Sequence, residues 1–215
     1  MSNYTVEATT RFLAKYRELE NFDNKRLEKF KKLYRDEFDM YRNIRNCLTH
    51  DEYNGDYPFA VAEELVDSLE EMIRIMNYTA EEVCITVDRL ITASLDDRLI
   101  DAIKVLSRRN FSHLPILDEE GKVQYVFSEQ SIMEILSAGK YSKARPLSEF
   151  TDFFGLENKN ELFLFVKKEE LAVNVKEMFE IRDALKRCQL IFVSEDGTKD
   201  SRLFGIITPH DVLEI

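Results

Sequence analysis

Two short segments of this sequence carry residue types that could bind a phosphate-containing molecule. The first is Gly205–Asp211, which reads Gly-Ile-Ile-Thr-Pro-His-Asp. The carboxylate of Asp211 could accept hydrogen bonds from both hydroxyls of a ribose, as an acidic residue does in dinucleotide-binding folds. Thr208 adds a hydroxyl, and free backbone N–H groups at a helix start favour phosphate. The alternative is structural, because Thr208 before Pro209 is typical of a helix N-cap and Asp211 would complement the helix dipole.

The second segment is Arg45–His50, at the end of a helical pattern, with Asn46 directly after the arginine. Arg45 and His50 are five positions apart, a little over one helical turn, so both side chains can serve one site if the helix frays near His50. Histidine titrates near neutrality, and arginine is always charged with a fork geometry that suits phosphate. In the structural alternative, Arg45 hydrogen-bonds across helices, His50 caps carbonyls at the helix end and Asn46 orders the turn.

Composition limits the class of protein. The 215 residues have room for one large domain or two modest ones, and 44% apolar with 33% charged content is typical of a soluble globular chain. Three cysteines without a CxxC pair indicate a reduced, cytoplasmic chain, and no stretch has the apolar length of a membrane span. The three histidines are scattered, so no metal site is predicted.

Charge is unevenly distributed along the chain. The net charge of −11 argues against broad nonspecific binding to nucleic acid, which depends on neutralising phosphates. Residues 22–45 nevertheless hold eight Lys and Arg against five acids. This stretch is either a solvated helix face or a local surface that faces phosphate.

The first 80 residues are predicted to be helical, because apolar residues recur at helical spacing over 12–19, 27–48 and 62–76. Asn54-Gly55, between the second and third stretches, is a turn signal. Two long apolar stripes joined by a short turn imply an antiparallel helix pair, whose open side the first helix would cover. An N-terminal antiparallel helical bundle is therefore expected.

The rest of the chain contains a repeat. His113–Gly121 corresponds to Gln189–Gly197, each an apolar strand that ends in an acidic turn with glycine. Each copy leads into a second strand and a helix start, at 125–131 and 205–211. Each repeat is expected to run strand, helix, strand, turn, strand, helix. Ser94–Asp97 is expected to open the first helix as a capping box.

The fold class that follows is α+β, a helical bundle followed by a tandem β-α-β-β-α unit. The expected boundaries are 1–80 for the helical domain, 81–137 for the first repeat, 138–160 for a connector and 161–215 for the second repeat. The expected strands, in chain order, are Val83–Val87, Leu114–Leu117, Val123–Phe127, Leu162–Val166, Leu190–Val193 and Leu203–Ile207.

The repeated unit resembles the cystathionine-β-synthase (CBS) domain, and the likeness covers roughly residues 83–215. In that family two copies pack into one disc-like CBS pair, or Bateman module, and many such modules bind adenine nucleotides or related adenosyl ligands between the copies. The family pattern at the last strand is Gly, two apolar residues, Thr or Ser, two variable residues and Asp. The resemblance implies that the ligand-binding residues are Gly205, Ile206, Ile207, Thr208 and Asp211.

The first repeat departs from the family pattern. Tyr125 replaces the glycine and Ser131 replaces the aspartate, while Ser128 is retained. We therefore expect at most one intact ligand site, centred on the second repeat. Candidate phosphate partners elsewhere, each of which could equally be solvated surface, are Arg108, Arg109, Lys167 and Lys168.

The Arg45–His50 segment resembles the HEPN superfamily of helical-bundle proteins, and this likeness covers roughly residues 8–78. Nuclease members carry Arg, four to six residues and then His, often with a polar residue after the Arg, here Asn46. In those members two copies dimerise and cut RNA without metal. The resemblance implies that His50 is a general acid/base and that Arg45 stabilises the phosphate. Many HEPN-like bundles are non-catalytic, and this favours a binding or structural role over catalysis.

Together the two resemblances imply a nucleotide-responsive regulatory protein. The CBS pair would bind an adenosine-type ligand such as AMP, ADP, ATP or S-adenosylmethionine, with no obligatory cofactor, and would modulate the helical domain or its dimerisation. One alternative is a CBS-regulated, HEPN-type endoribonuclease that acts on RNA. Another is a non-catalytic scaffold whose sites are vestigial. Both families commonly dimerise, so a cytoplasmic homodimer without a membrane partner is expected.

Overall fold

The structure is a computed structural model that divides into two compact units, Met1–Tyr78 and Thr79–Ile215. We call the first the helical unit and the second the α/β unit. The parts of the chain that the structure describes are residues 4–50, 57–157, 160–183 and 186–213, without the side chains of Tyr4, His50 and Asp183.

The helical unit is built from helices that follow the predicted apolar stripes. Its helices are α1 (Val6–Glu20), α2 (Asn24–Leu33), α3 (Arg35–His50) and α4 (Glu63–Asn77). Short antiparallel strands directly precede two of them, β1 (Tyr4–Thr5) before α1 and β2 (Val61–Ala62) before α4. The helical character of the N-terminal region is confirmed. The antiparallel bundle stays a prediction, and its Asn54-Gly55 turn lies outside the described residues.

The apolar stripe predicted over 27–48 is carried by two helices rather than one. The break falls at Tyr34, whose φ of −124° and ψ of 47° are not helical. The Tyr34 N–H donates to the Phe30 carbonyl, and the Phe38 N–H donates to the Tyr34 carbonyl, so α-type hydrogen bonds span the break. Helical phase is kept as a result, and Phe30, Phe38 and Tyr41 all lie in the core.

The α/β unit alternates helices and strands. Its helices are α5 (Ala80–Val83), α6 (Leu99–Arg109), α7 (Glu129–Ser137) and α8 (Ala172–Met178). Its strands are β3 (Ile85–Thr86), β4 (His113–Leu117), β5 (Val123–Ser128), β6 (Glu161–Lys167), β7 (Arg182–Asp183), β8 (Lys186–Ser194) and β9 (Leu203–Ile207). 3₁₀ helices cover Val87–Arg89, Leu147–Phe153 and Pro209–Val212. Each predicted strand overlaps an observed one.

Strands from both repeats share one sheet. Its order is β3-β9-β8-β6, with β7 paired to β8. β6 and β8, which are connected through α8 in the chain, run parallel, while β9 is antiparallel to both β8 and β3. β4 and β5 form a separate antiparallel hairpin. Although β3 precedes the first repeat's helix, it therefore extends the sheet of the second repeat.

Apolar packing joins the two repeats in the same way. The hairpin contributes Val126, which packs in one cluster with Phe163, Phe192 and Ile206 of the larger sheet. A second cluster belongs to the first repeat and includes residues of the connector between the repeats, namely Leu147, Phe150 and Phe154. The connector predicted over 138–160 is thus part of a core rather than a loose linker.

Ser94–Asp97 forms a turn and does not start the following helix. The Ser94 N–H donates to Asp97 Oδ2 at 2.8 Å, as in a capping box. However, α6 begins at Leu99, and its N-cap is Arg98 in extended conformation. The prediction was wrong because the connector supplies a partner: the Leu99 N–H donates to the Arg145 carbonyl at 2.9 Å.

None of the helices in the described part of the chain combines the length and the apolar character that crossing a bilayer requires.

Candidate functional site

Thr208 and Asp211 lie at the point where β9 ends and the 3₁₀ helix Pro209–Val212 begins. Asp211 Oδ2 accepts two hydrogen bonds from Thr208, one from the backbone N–H and one from the hydroxyl, both at 2.7 Å. The pair forms a capping box with proline in the first turn. The capping alternative considered from the sequence is therefore realised, and both side chains remain partly exposed.

The cap uses only one oxygen of the Asp211 carboxylate. Among the described residues, none donates a hydrogen bond to Asp211 Oδ1. An ionised carboxylate has about four lone-pair sites, so Oδ1 keeps its full capacity to accept donors. Capping and binding of a hydroxyl-bearing ligand are therefore compatible at this residue.

Gly205, Ile206 and Ile207 precede the cap and are buried in β9. A Cβ on Gly205 would lie 2.6 Å from the Ile85 carbonyl oxygen and 2.8 Å from Cys84 Sγ. Glycine is required here because β3 lies directly alongside β9. The Ile206 and Ile207 side chains are 7% and 0% exposed. In this arrangement the three residues position Thr208 rather than present side chains to solvent.

Cys84 and Lys168 lie beside β9, the strand that leads into the cap. Burial raises the pKa of the Cys84 thiol to about 11, and the charges of Glu81 and Asp211 add to the increase while Lys168 opposes it. The Lys168 ammonium also lies 4.0 Å from the centre of the Phe204 ring. Lys168 and Asp211 are thus both within electrostatic range of one thiol. The sequence named Lys168 as one of four candidate cations, but nothing in it pointed to Cys84 or Phe204.

The other candidate cations lie in ordinary surface positions. Arg108 and Arg109 are exposed in the last turn of α6, where positive charge complements the helix dipole. Lys167 is exposed at the end of β6, and its side chain runs beside Gly197. Among the four, Lys168 is the half-buried one, and its ammonium lies over the Phe204 ring of β9.

The corresponding position of the first repeat holds a buried polar cluster. Ser128, which corresponds to Thr208, and Ser131, which stands in place of the aspartate, form a capping box at the start of α7. The Ser128 hydroxyl donates to Glu161 Oε2 at 2.8 Å, and Glu161 Oε1 lies 3.0 Å from His113 Nε2. No sequence pattern pointed to Glu161, since it is 33 residues away from Ser128.

In the helical unit, Arg45 is held against α1. Its Nη2 lies 3.5 Å from Glu20 Oε1, and its guanidinium carbon lies 5.8 Å from the centre of the Tyr16 ring. Its Nη1 donates to Asn46 Oδ1 at 3.1 Å. These contacts agree with the alternative in which Arg45 bonds across helices. The side chain of His50 lies outside the described residues, so its pairing with Arg45 stays a prediction.

A cavity of about 760 Å³ lies between α1, α2 and α3 beside these contacts. Its basic lining residues are Lys31, Lys32, Arg35 and Arg42, and its acidic ones are Glu20, Glu28 and Asp39. Lys31 pairs with Glu28, and Arg42 pairs with Asp39. Among the described residues, Lys32 and Arg35 have no ion-pair partner. The basic stretch predicted from the sequence therefore lines this cavity in part.

Within the described ranges, no group of three or more His, Cys, Asp or Glu side chains is arranged to hold a metal ion.

Comparison with known proteins identifies one repeat directly. Residues 80–138 match the family model of the CBS domain, which confirms the resemblance of the first repeat. A search of curated proteins finds no match. The HEPN resemblance of the helical unit is not confirmed and stays a prediction.

Several solved structures are similar to the chain. CBSX2 from Arabidopsis thaliana is 16% identical, with a TM-score of 0.47, and the match covers 64% of this chain and 93% of that one. CBSX2 in complex with AMP gives 17% identity, a TM-score of 0.47 and coverages of 64% and 94%. A CBS domain pair bound to 5′-methylthioadenosine and S-adenosyl-L-methionine is 21% identical, with a TM-score of 0.46, and the match covers 64% of this chain and 94% of that one.

Proposed function

We propose that the protein is a nucleotide-responsive regulator whose α/β unit is a CBS pair that binds an adenosine-type ligand beside Thr208 and Asp211. The observation that carries the proposal is the uncommitted Oδ1 of Asp211, on a partly exposed carboxylate that the cap holds in place. The match of the first repeat to the CBS domain supports it.

The chemistry at this position suits a nucleoside. Asp211 Oδ1 can accept from ribose hydroxyls, and because the Thr208 cap fixes the carboxylate, little side-chain freedom is lost on binding. Lys168 is the cation that could meet a phosphate. AMP, ADP, ATP and S-adenosylmethionine all combine a ribose with a charged group, so all four are candidates.

Regulation requires that the ligand distinguish two states of the protein. A ligand shifts such an equilibrium only by the difference in its affinity for the two states. We infer that the states differ in the helical unit or in dimerisation. Exposed apolar side chains on α7 support a homodimer, since Met133 is 59% and Leu136 is 47% exposed.

The decisive experiment is titration calorimetry with AMP, ADP, ATP and S-adenosylmethionine on the intact chain and on Asp211→Ser. Serine at this position reproduces the cap that Ser128 and Ser131 form in the first repeat, so the substitution removes the carboxylate but keeps a helix cap. We expect binding to weaken at least about tenfold, as for loss of a charged hydrogen-bond acceptor. Glu195→Ala, an exposed acid in the same repeat, is the control.

Two results would overturn the proposal. Binding that Asp211→Ser leaves unchanged would place the ligand elsewhere. The absence of heat and of a thermal shift with all four ligands would favour the non-catalytic scaffold with vestigial sites.

A second candidate function is a metal-independent endoribonuclease. The observation that favours it is the position of Arg45, whose partners Tyr16 and Glu20 line the partly basic cavity of the helical unit. The test is incubation with cellular RNA in EDTA, comparing the intact chain with Arg45→Ala and His50→Ala. His210→Ala, an exposed histidine of the other unit, is the control. Cleavage that is absent, or that survives both substitutions, rejects this function.

A further inference from the structure

Glu161 lies at the centre of the buried polar cluster of the first repeat. It is 8% exposed, and the two serines of the cluster, Ser128 and Ser131, are 0% and 1% exposed. The carboxylate uses both oxygens, since Oε2 accepts from the Ser128 hydroxyl at 2.8 Å and Oε1 lies 3.0 Å from His113 Nε2. A buried carboxylate is costly unless it is paired in this way.

The cluster links two elements that belong to different repeats. His113 begins β4 and Ser128 ends β5, where the two residues face each other in the hairpin of the first repeat. Glu161 begins β6, in the sheet of the second repeat. The Phe163 ring, two residues further along β6, meets the His113 ring edge-on at 5.9 Å. The side chain of Glu161 is therefore a polar cross-link between the repeats.

The Glu161 carboxylate accepts from the hydroxyl of its helix cap, as the Asp211 carboxylate does in the second repeat. There the hydroxyl of Thr208 donates to the carboxylate of Asp211, three residues further along the chain, at 2.7 Å. In the first repeat Ser131 stands at the aspartate position, and its hydroxyl accepts from the Ser128 N–H at 3.1 Å. The Ser128 hydroxyl donates instead to Glu161. Both caps thus have a carboxylate acceptor. In the second repeat it comes from the same cap, and in the first repeat it comes from the second repeat.

We infer that Glu161 is an internal ligand of the first repeat: its carboxylate fills the acceptor position at the Ser128 cap, fastens the hairpin to the second repeat's sheet and closes this position to any external ligand. The inference does not depend on nucleotide binding at Asp211. It attributes the asymmetry of the two repeats to the contact between Glu161 and Ser128 as well as to the loss of an aspartate.

The inference predicts that removing the Glu161 side chain creates a site for a small carboxylate. In Glu161→Ala the Ser128 hydroxyl and the His113 ring lose their carboxylate partner, while Ser128 Oγ keeps its contacts with the Ser131 hydroxyl at 3.1 Å and the Ser131 N–H at 3.2 Å. The loss of a buried charge-assisted acceptor is destabilising. We expect the melting temperature to fall by roughly 5–10 °C. Formate or acetate should enter the space, take up the hydrogen bonds of Ser128 and His113, and restore at least half of that loss.

The experiment compares thermal unfolding of the intact chain, Glu161→Ala and Ser128→Ala/Glu161→Ala, each in sodium chloride, formate and acetate at equal ionic strength and pH. Rescue by formate or acetate that chloride does not give, and that the double variant lacks, is the expected result. Glu195→Ala, an exposed acid, should neither lose stability nor respond to carboxylate. An unchanged melting temperature in Glu161→Ala, or equal rescue in the double variant, would overturn the inference.

A variant that keeps the volume of the side chain covers the case in which Glu161→Ala does not fold. Glu161→Gln retains one carbonyl acceptor, so it should fold with a smaller fall in melting temperature, and the ring ¹⁵N shifts of His113 should change because the carboxylate beside Nε2 is gone. A Glu161→Gln protein with the His113 shifts and the stability of the intact chain would equally refute the internal ligand.

Discussion

A single oxygen of Asp211 accepts both hydrogen bonds from Thr208, at 2.7 Å each. This relationship separates two roles of the aspartate. Oδ2 closes the helix cap, and Oδ1 has no donor among the described residues. The structural and the functional interpretations of this motif, which residue types alone leave open as alternatives, are therefore compatible.

Lys168 should distinguish phosphorylated from unphosphorylated ligands. If it meets a phosphate, Lys168→Met should weaken the binding of AMP by about fivefold, a value suited to a partly exposed charge. The binding of 5′-methylthioadenosine should be unaffected, because that ligand has no phosphate. Titration calorimetry measures both. Lys167→Met, the exposed neighbouring lysine, is the matched control. Equal weakening of the two ligands would show that Lys168 supports the fold rather than the phosphate.

Gly205 should not tolerate a side chain. The Cβ of alanine would lie 2.6 Å from the Ile85 carbonyl oxygen, so Gly205→Ala must push β3 away from β9. We expect a loss of about 1–3 kcal/mol in the free energy of unfolding, measured by urea denaturation. At Gly155 the nearest atom to an added Cβ is 3.8 Å away, so Gly155→Ala should change stability by less than about 0.5 kcal/mol. Equal effects at the two glycines would contradict the close approach of β3.

Thr9 should contribute more to the free energy of unfolding than its neighbour Thr10. The buried Thr9 hydroxyl donates to the Thr5 carbonyl at 3.0 Å and accepts from the Val61 N–H at 2.9 Å, which ties α1 to β2. Thr9→Val leaves that N–H without its partner and should cost about 1–3 kcal/mol in urea denaturation.

The control for Thr9→Val is Thr10→Val. The Thr10 hydroxyl is exposed and donates only to the Val6 carbonyl, at 2.9 Å, so its loss should cost less than about 0.5 kcal/mol. A Thr10 variant as unstable as the Thr9 variant would mean that helix propensity, and not the link to β2, sets the effect.

The three cysteines should react at different rates. Burial raises the pKa of Cys84 and of Cys188 to about 11, whereas Cys47 is exposed. The thiolate is the reactive form, so at pH 8 only roughly one thiol in a thousand at Cys84 is ionised. Alkylation by iodoacetamide, followed by mass spectrometry, should modify Cys47 first. Labelling of Cys84 should accelerate about tenfold per pH unit between pH 8 and 10; labelling as fast as that of Cys47 at pH 8 would contradict its burial.

Much of the local structure could be predicted because it depends on near neighbours. The predicted turns at Gly121 and Gly197 are confirmed, and both glycines have a φ of +79°, which other residues rarely adopt. Thr208 directly before Pro209 likewise predicted the cap. For the apolar stripe over 27–48, the sequence predicted which residues face the core but not that the helix is interrupted. The bend at Tyr34 keeps the apolar residues on one face, so the pattern does not reveal the break.

The sequence by itself determined where the main strands, the glycine turns and the Thr208 cap lie, since those outcomes follow from side-chain type and short spacing. Only the tertiary structure decided which distant segments meet. β3 pairs with β9, so that Ile85 lies opposite Ile206, and Glu161 bonds to Ser128 of the other repeat. The backbone groups of a strand can pair with those of any other strand, and a carboxylate accepts from any hydroxyl. The choice of partner therefore comes from the packing of the whole unit, which leaves Asp211 partly exposed and buries Glu161 against the first repeat.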